Sequence, residues 1–117
     1  MKQMRLFVVL LVLGGVFVSC ASHNAAKRFG PYSAAETFYK KANYSKAIEK
    51  YQEYLAANPQ GNLAAIATYY IAKSYAASGN TAKACENFKW VSEKFPRTSW
   101  AEFAKEQLEL LQPSAKS

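Results

Sequence analysis

The segment Asn43 to Pro59 (NYSKAIEKYQEYLAANP) lies over Asn80 to Pro96 (NTAKACENFKWVSEKFP) at one constant offset of 37 residues. Asn43, Lys46, Ala47, Glu49 and Pro59 recur as Asn80, Lys83, Ala84, Glu86 and Pro96. Tyr51 and Phe88 keep an aromatic at the same offset, as do Phe38 and Tyr75, and Ala35 is matched by Ala72. A chain that repeats at this period builds its core from one supersecondary unit used more than once, because a single unit cannot bury its apolar face alone.

Each unit reads as two helices. In the first, Ser33 with Glu36 has the form of a capping box, Ala34, Ala35 and Phe38 mark one face, and the chain turns near Ala42-Asn43. The second helix is expected from about Tyr44 to Ala57, with Tyr44, Ala47, Ile48, Tyr51 and Leu55 on one stripe, and it must stop before Pro59. The next unit has Asn62 as a cap, a helix through Ala77, a turn at Gly79-Asn80, and then Ala84, Phe88, Val91 and Phe95 facing inward on a helix that ends at Pro96. A fifth helix, capped by Ser99 with Glu102, runs to about Leu111. There Glu109 and Gln112 replace Ala72 and Tyr75, so it is expected to close the array with a polar outer face. No segment alternates as a strand would, and the expected fold class is all-α: a solenoid of two helical hairpins plus a C-terminal capping helix over residues 32–112, followed by a tail at 113–117.

The small residue, the aromatic, the turn, the Tyr-x-x-Ala-x-x-x-Tyr run at Tyr44-Ala47-Tyr51 and the closing Pro59 together resemble the tetratricopeptide repeat (TPR), over about residues 31 to 112. The 37-residue step is longer than the usual ~34. With Pro-Gln-Gly-Asn and Pro-Arg-Thr-Ser opening the following helices, the variety is similar to that of the BamD-like lipoproteins of outer-membrane β-barrel assembly. The resemblance implies a concave groove, lined by the first helix of each repeat, that holds a protein partner. On this chain the groove would present Tyr32, Glu36, Tyr39 and Lys40, then Ile66, Tyr69 and Lys73. Tyrosines with lysines suit an interface, but tyrosines at these positions can equally shield a core. Trp90 lies roughly 120° from the centre of the Ala84, Phe88, Val91, Phe95 stripe, beside Lys83 and Lys94. It is either an exposed anchor or is covered by the terminal helix that carries Trp100, and burial is the expectation.

The N-terminus has an address of its own. Lys2 and Arg5 precede the apolar run Leu6 to Val18, and Ser19-Cys20-Ala21 follows, the order of a secretory signal. Thirteen residues rise only about 20 Å as a helix, short of a ~30 Å hydrocarbon core, and Gly14-Gly15 interrupts them, which argues against a retained span. Phe17-Val18-Ser19-Cys20 resembles the lipobox of bacterial lipoproteins, with Phe17 in place of the usual Leu. That resemblance implies removal of residues 1–19 and acylation (palmitate-type chains) at Cys20, leaving a tether over residues 20–31 that holds the lone His23. Ordinary cleavage after Ala21 is the rival reading. Ala21 rather than Asp after the cysteine resembles lipoproteins sent to the outer membrane, so the expected location is the periplasmic face of the cell envelope.

Losing residues 1–19 lowers the formal charge from +7 to +5, since Lys2 and Arg5 leave with the signal. No Asp occurs, His23 is the sole histidine, and no phosphate loop, HExxH or CxxC spacing is present, so neither an enzyme nor a cofactor or metal site is expected. Cys85, which replaces Ile48, reads as a small apolar filler. Three roles fit: an adaptor gripping a protein in the groove, a structural subunit docked (or self-associated) in an envelope complex, or a cell-wall and anionic-lipid contact through Lys40, Lys41, Lys46 and Lys50. A nucleic-acid partner is not expected.

Overall fold

A computed structural model of the chain describes residues 29–112. The signal segment, Cys20, His23 and the 113–117 tail lie outside the described residues. Among those described there are five helices and no strand: α1 (29–40), α2 (Tyr44–Ala57), α3 (Asn62–Ala77), α4 (Thr81–Lys94) and α5 (Ser99–Leu111). From Pro31 onward they form one compact unit in which α2 packs on α3, α3 on α4, and α4 on α5.

The two turns between paired helices are the same object. Asn43 N–H donates to the Phe38 carbonyl and Ala42 N–H to Tyr39; 37 residues on, Asn80 N–H donates to Tyr75 and Gly79 N–H to Ala76. Both are Schellman closures, which satisfy helix-end carbonyls through one residue in the left-handed region, Ala42 (φ 58°) in the first and Gly79 (φ 86°) in the second. The asparagine that follows then caps the next helix: the Asn43 side chain accepts from Lys46 N–H and that of Asn80 from Lys83 N–H.

The core is likewise written twice. One cluster buries Ala35, Ala47, Tyr51, Tyr54, Ala67 and Ile71; the other buries Tyr69, Ala72, Ala84, Phe88, Val91 and Ala104. Ala35, Ala47, Tyr51, Tyr54 and Ala67 map at the constant offset onto Ala72, Ala84, Phe88, Val91 and Ala104. Alanines at the crossings let helix backbones approach, and the large ring of Tyr51 or Phe88 fills the space beside them. The buried hydroxyls bond back into their own helix, Thr68 to the Ala64 carbonyl and Ser74 to that of Tyr70.

Five local expectations are corrected. Helix α1 already includes Gly30 and Pro31, so Ser33 is interior, its carbonyl accepting from the Thr37 hydroxyl, rather than an N-cap; a proline costs nothing within a first turn, where its missing N–H has no partner to lose. Gly61, not Asn62, caps α3, and it offers no side-chain bond. Thr98, not Ser99, caps α5, accepting from Ala101 N–H through its hydroxyl, with Glu102 in the first turn. Phe95 is the residue on which α4 ends and is only partly buried. The outer side of α5 is also less polar than its Glu109 and Gln112 imply, for Phe103 is 43% and Leu110 71% exposed.

Candidate functional site

Glu36, Tyr39 and Lys40 share one face of α1 because three- and four-residue steps bring side chains together on a helix. With Tyr51 from α2 and Tyr70 from α3 they line a pocket of about 170 Å³. Tyr70 is its hub. The ring stands edge-on to Tyr39 at 4.9 Å, runs nearly parallel to Tyr51 at 6.1 Å, and meets Tyr69 edge-on at 5.5 Å. Tyr32 backs the pocket, edge-on to Tyr51 at 5.7 Å and to Tyr54 at 5.2 Å.

The pocket keeps its charges unspent. Four glutamates pair with lysines along helix surfaces, in Lys46–Glu49, Lys50–Glu53, Lys89–Glu93 and Glu102–Lys105. Glu36 and Lys40 have the spacing for such a pair, yet neither forms an ion pair with a described residue. Burial pushes the Tyr32 phenol up to about 12, with the Glu36 carboxylate as the next cause. Burial also raises Tyr51, helped by Tyr32 and Glu36, and raises Tyr39, helped by Tyr44 and Tyr70. At neutral pH these rings therefore remain phenols, able to donate hydrogen bonds as well as to offer ring faces. A carboxylate, an ammonium and three phenols around a small apolar floor can grip one polar-tipped side chain of a partner.

Not every expected groove residue joins this site. Tyr32 is half-buried behind it. Tyr69 is a core residue, only 9% exposed, because α5 lays Trp100 against it at 5.1 Å while Phe88 meets it at 5.5 Å. Ile66 and Lys73 are partly buried on α3 and are not in the pocket wall. Tyr51 and Tyr70, which are in it, are not among the residues singled out for binding by sequence. A signal existed for Tyr70: it stands three residues after Ala67 and four before Ser74, both buried, and so shares their side of α3.

Trp90 is 52% exposed, against the expectation of burial. Trp100 is drawn instead to Tyr69 and Tyr70 and leaves Trp90 uncovered. The Lys94 ammonium lies 4.9 Å from the centre of the Trp90 ring, whereas Lys83 lies over Tyr75 at 5.5 Å. Cys85 is a free, partly buried thiol, as a filler would be. Of the basic cluster considered for anionic surfaces, Lys46 and Lys50 are already engaged by Glu49 and Glu53, which halves the charge it can offer. Among the described residues no helix is long and apolar enough to cross a membrane, and Cys20 falls outside them. Compared with known proteins, the chain matches no protein-family model and no curated protein.

Proposed function

We propose that the chain is a lipoprotein of the bacterial cell envelope whose TPR-type helical hairpins hold a partner protein, with Cys20 as the point of lipid attachment and the Glu36, Tyr39, Lys40 pocket as the grip. The observation that carries this reading is the convergence in one pocket of the Glu36 carboxylate and the Lys40 ammonium, neither in an ion pair with a described residue, with the phenols of Tyr39, Tyr51 and Tyr70. Such an arrangement costs a free protein little and rewards a partner that brings the opposite charges and a ring or aliphatic chain between them. Tyr69 drops out of the grip because it is core. The lipid supplies location: two or more acyl chains, at ~0.8 kcal/mol per buried CH₂, hold a protein where one chain does not.

The test uses surface changes that leave the core alone. In-cell crosslinking of the full chain, followed by identification of the attached protein, is compared with Glu36→Gln, Lys40→Gln and the double variant. Loss of one specific crosslinked partner in the double variant supports the reading, and equal recovery in all four proteins ends it. Mass measurement of the membrane fraction examines the anchor separately: an unlipidated mature protein, or a Cys20→Ser chain that stays membrane-bound, would sink the lipoprotein half alone.

A second reading, a structural subunit docked side-on in a larger envelope complex, draws on Phe103 and Leu110, two large apolar side chains exposed on the terminal helix. Phe103→Ser with Leu110→Ser would then shift the native complex to lower mass on sizing. No shift, with crosslinks at the α1 pocket kept, would exclude it.

A further inference from the structure

The two ends of the helical unit differ. Each short connection reverses the chain, so the start of α1, the α2–α3 connection and the last turn of α4 lie at one end. Tyr32 of α1 accordingly meets Tyr54 near the end of α2 at 5.2 Å, and Pro59, Gln60 and Gly61 line a concavity of about 470 Å³ with Trp90, Lys94 and Phe95. An indole and two cations are exposed there: Trp90 is 52% exposed, and Lys94 and Arg97 are exposed and in no ion pair with a described residue. The acids of the flanking turns are neutralised on their own helices, Glu93 by Lys89 at 4.0 Å and Glu102 by Lys105 at 3.1 Å. In the first unit the positions of Trp90, Lys94 and Arg97 hold Glu53, Ala57 and Gln60, so the combination belongs to the second hairpin alone.

We infer that this end of the unit rests on the surface of a bilayer containing anionic lipid, with Trp90 at the headgroup level and Lys94 and Arg97 on lipid phosphates. The inference rests on the reading of Cys20 as the point of lipid attachment. Eleven residues lead from Cys20 to Pro31, where the compact unit begins, and fully extended they span at most about 40 Å. The tether therefore enters at the end that carries Trp90 and keeps that end close to the lipid. An indole prefers the boundary between water and hydrocarbon, where its ring is shielded and its N–H stays wet. Each cation near an anionic leaflet favours contact about fivefold, so two give about thirtyfold. That is too little to recruit a free protein but enough to seat a tethered one, whose effective concentration at the surface is on the order of millimolar. The Lys94 ammonium, 4.9 Å from the centre of the Trp90 ring, can turn to a phosphate because an exposed cation–π contact is weak. The opposite end offers Lys41 and Lys83, but it sets Glu36 and Glu86 among them and has no tryptophan.

The full chain, purified in nonionic detergent and weighed for its lipid by mass spectrometry, is reconstituted into vesicles whose acyl chains carry bromine near the headgroups, where it quenches a nearby indole. With about a third phosphatidylglycerol in phosphatidylcholine, tryptophan emission should fall by about a third to a half, Trp90 being one of two indoles. The fall should be lost in phosphatidylcholine alone and in about 1 M salt. Trp90→Phe should abolish it, because Trp100 is partly buried against Tyr69. Lys94→Gln with Arg97→Gln should weaken the contact about thirtyfold and bring emission near its value in neutral vesicles, whereas Lys41→Gln with Lys83→Gln should change nothing. All substituted side chains are exposed, and an unchanged melting temperature verifies that the variants fold. Quenching that persists in Trp90→Phe, that ignores lipid charge, or that falls equally in the Lys41 and Lys83 variant overturns the inference. So does an absence of quenching in the lipidated chain, which leaves the anchor standing. A chain without lipid mass overturns it through Cys20 instead.

Discussion

The two hairpins share a backbone and a core but place their open surface at opposite ends of their helices. In the first, Glu36, Tyr39, Lys40, Tyr51 and Tyr70 surround a phenol-lined pocket. The 37-residue equivalents of those five are Lys73, Ala76, Ala77, Phe88 and Gln107. Two methyl groups and a phenyl have replaced two phenols and an ammonium, and in that unit the neighbouring space is filled by Tyr69, Trp100 and Phe88 packed ring to ring. The second hairpin is open instead at Trp90, Lys94 and Phe95, where the first has Glu53, Ala57 and Asn58. A repeated hairpin lets the open surface of each copy change while the alanines and the central ring stay.

The largest effect expected from this comparison is one the two units share. Tyr51 and Phe88 are both essentially unexposed, so Tyr51→Ala and Phe88→Ala should each destabilise by about 3–5 kcal/mol in chemical denaturation. If one costs far less than the other, the two cores are not equivalent. The hydroxyl should then separate them. Phe88→Tyr places an oxygen where the site is closed, at a cost of about 1–3 kcal/mol, whereas Tyr51→Phe removes one that borders a pocket and should change stability by less than about 1 kcal/mol.

Alkaline pH sharpens the same contrast, because raised phenols are concentrated in the first unit: Tyr32, Tyr39 and Tyr51, against Tyr69 in the second. A phenol whose folded value lies above its unfolded value of about 10 contributes its full stabilisation below pH 10 and loses it as pH rises through the folded value. For Tyr32 that window runs from about 10 to about 12. Unfolding midpoints in urea should hold steady to pH 9 and fall from pH 10 to 12. Tyr51→Phe should flatten that fall, and Trp90→Phe should leave it untouched. The partial exposure of Tyr32 and Tyr39 keeps the effect of each below that of the hydroxyl swap.

Periodicity and proline placed α2 at its observed bounds and put five of the six members of the first buried cluster and four of the six of the second, or their partners at the constant offset, on inward stripes. Local signals carry that far because a repeat is tested twice in one chain. Tyr54 shows the reverse: its stripe omitted it, although Val91 at the matching place was included. The caps slipped by one residue because Asn62 and Ser99 are good capping types sitting just inside their helices, and only backbone angles distinguish an N-cap from the first helical position. Tyr69 and Trp90 were misplaced for one reason. Both depend on where Trp100 lies, and the course of α5 across α3 and α4 is a tertiary fact that a helical wheel does not contain.

The smallest difference between the hairpins is one methyl group at the turn. Ala42 and Gly79 hold the same left-handed position in matching Schellman closures, but only glycine adopts it without a clash between its β-carbon and the backbone. Ala42 is exposed, so its methyl contributes no packing in compensation. A β-carbon built at Gly79 meets nothing within 4 Å, which leaves backbone conformation as the whole of the difference there too. Ala42→Gly should therefore stabilise by about 0.5–1 kcal/mol, and Gly79→Ala should destabilise by a similar amount. Because the two changes sit 37 residues apart with no shared partner, the double variant should return to within about 0.5 kcal/mol of the parent on urea denaturation. A double variant well below the parent would mean that the second turn carries more of the fold than the first, and that the hairpins, alike in backbone, are unequal in the stability they confer.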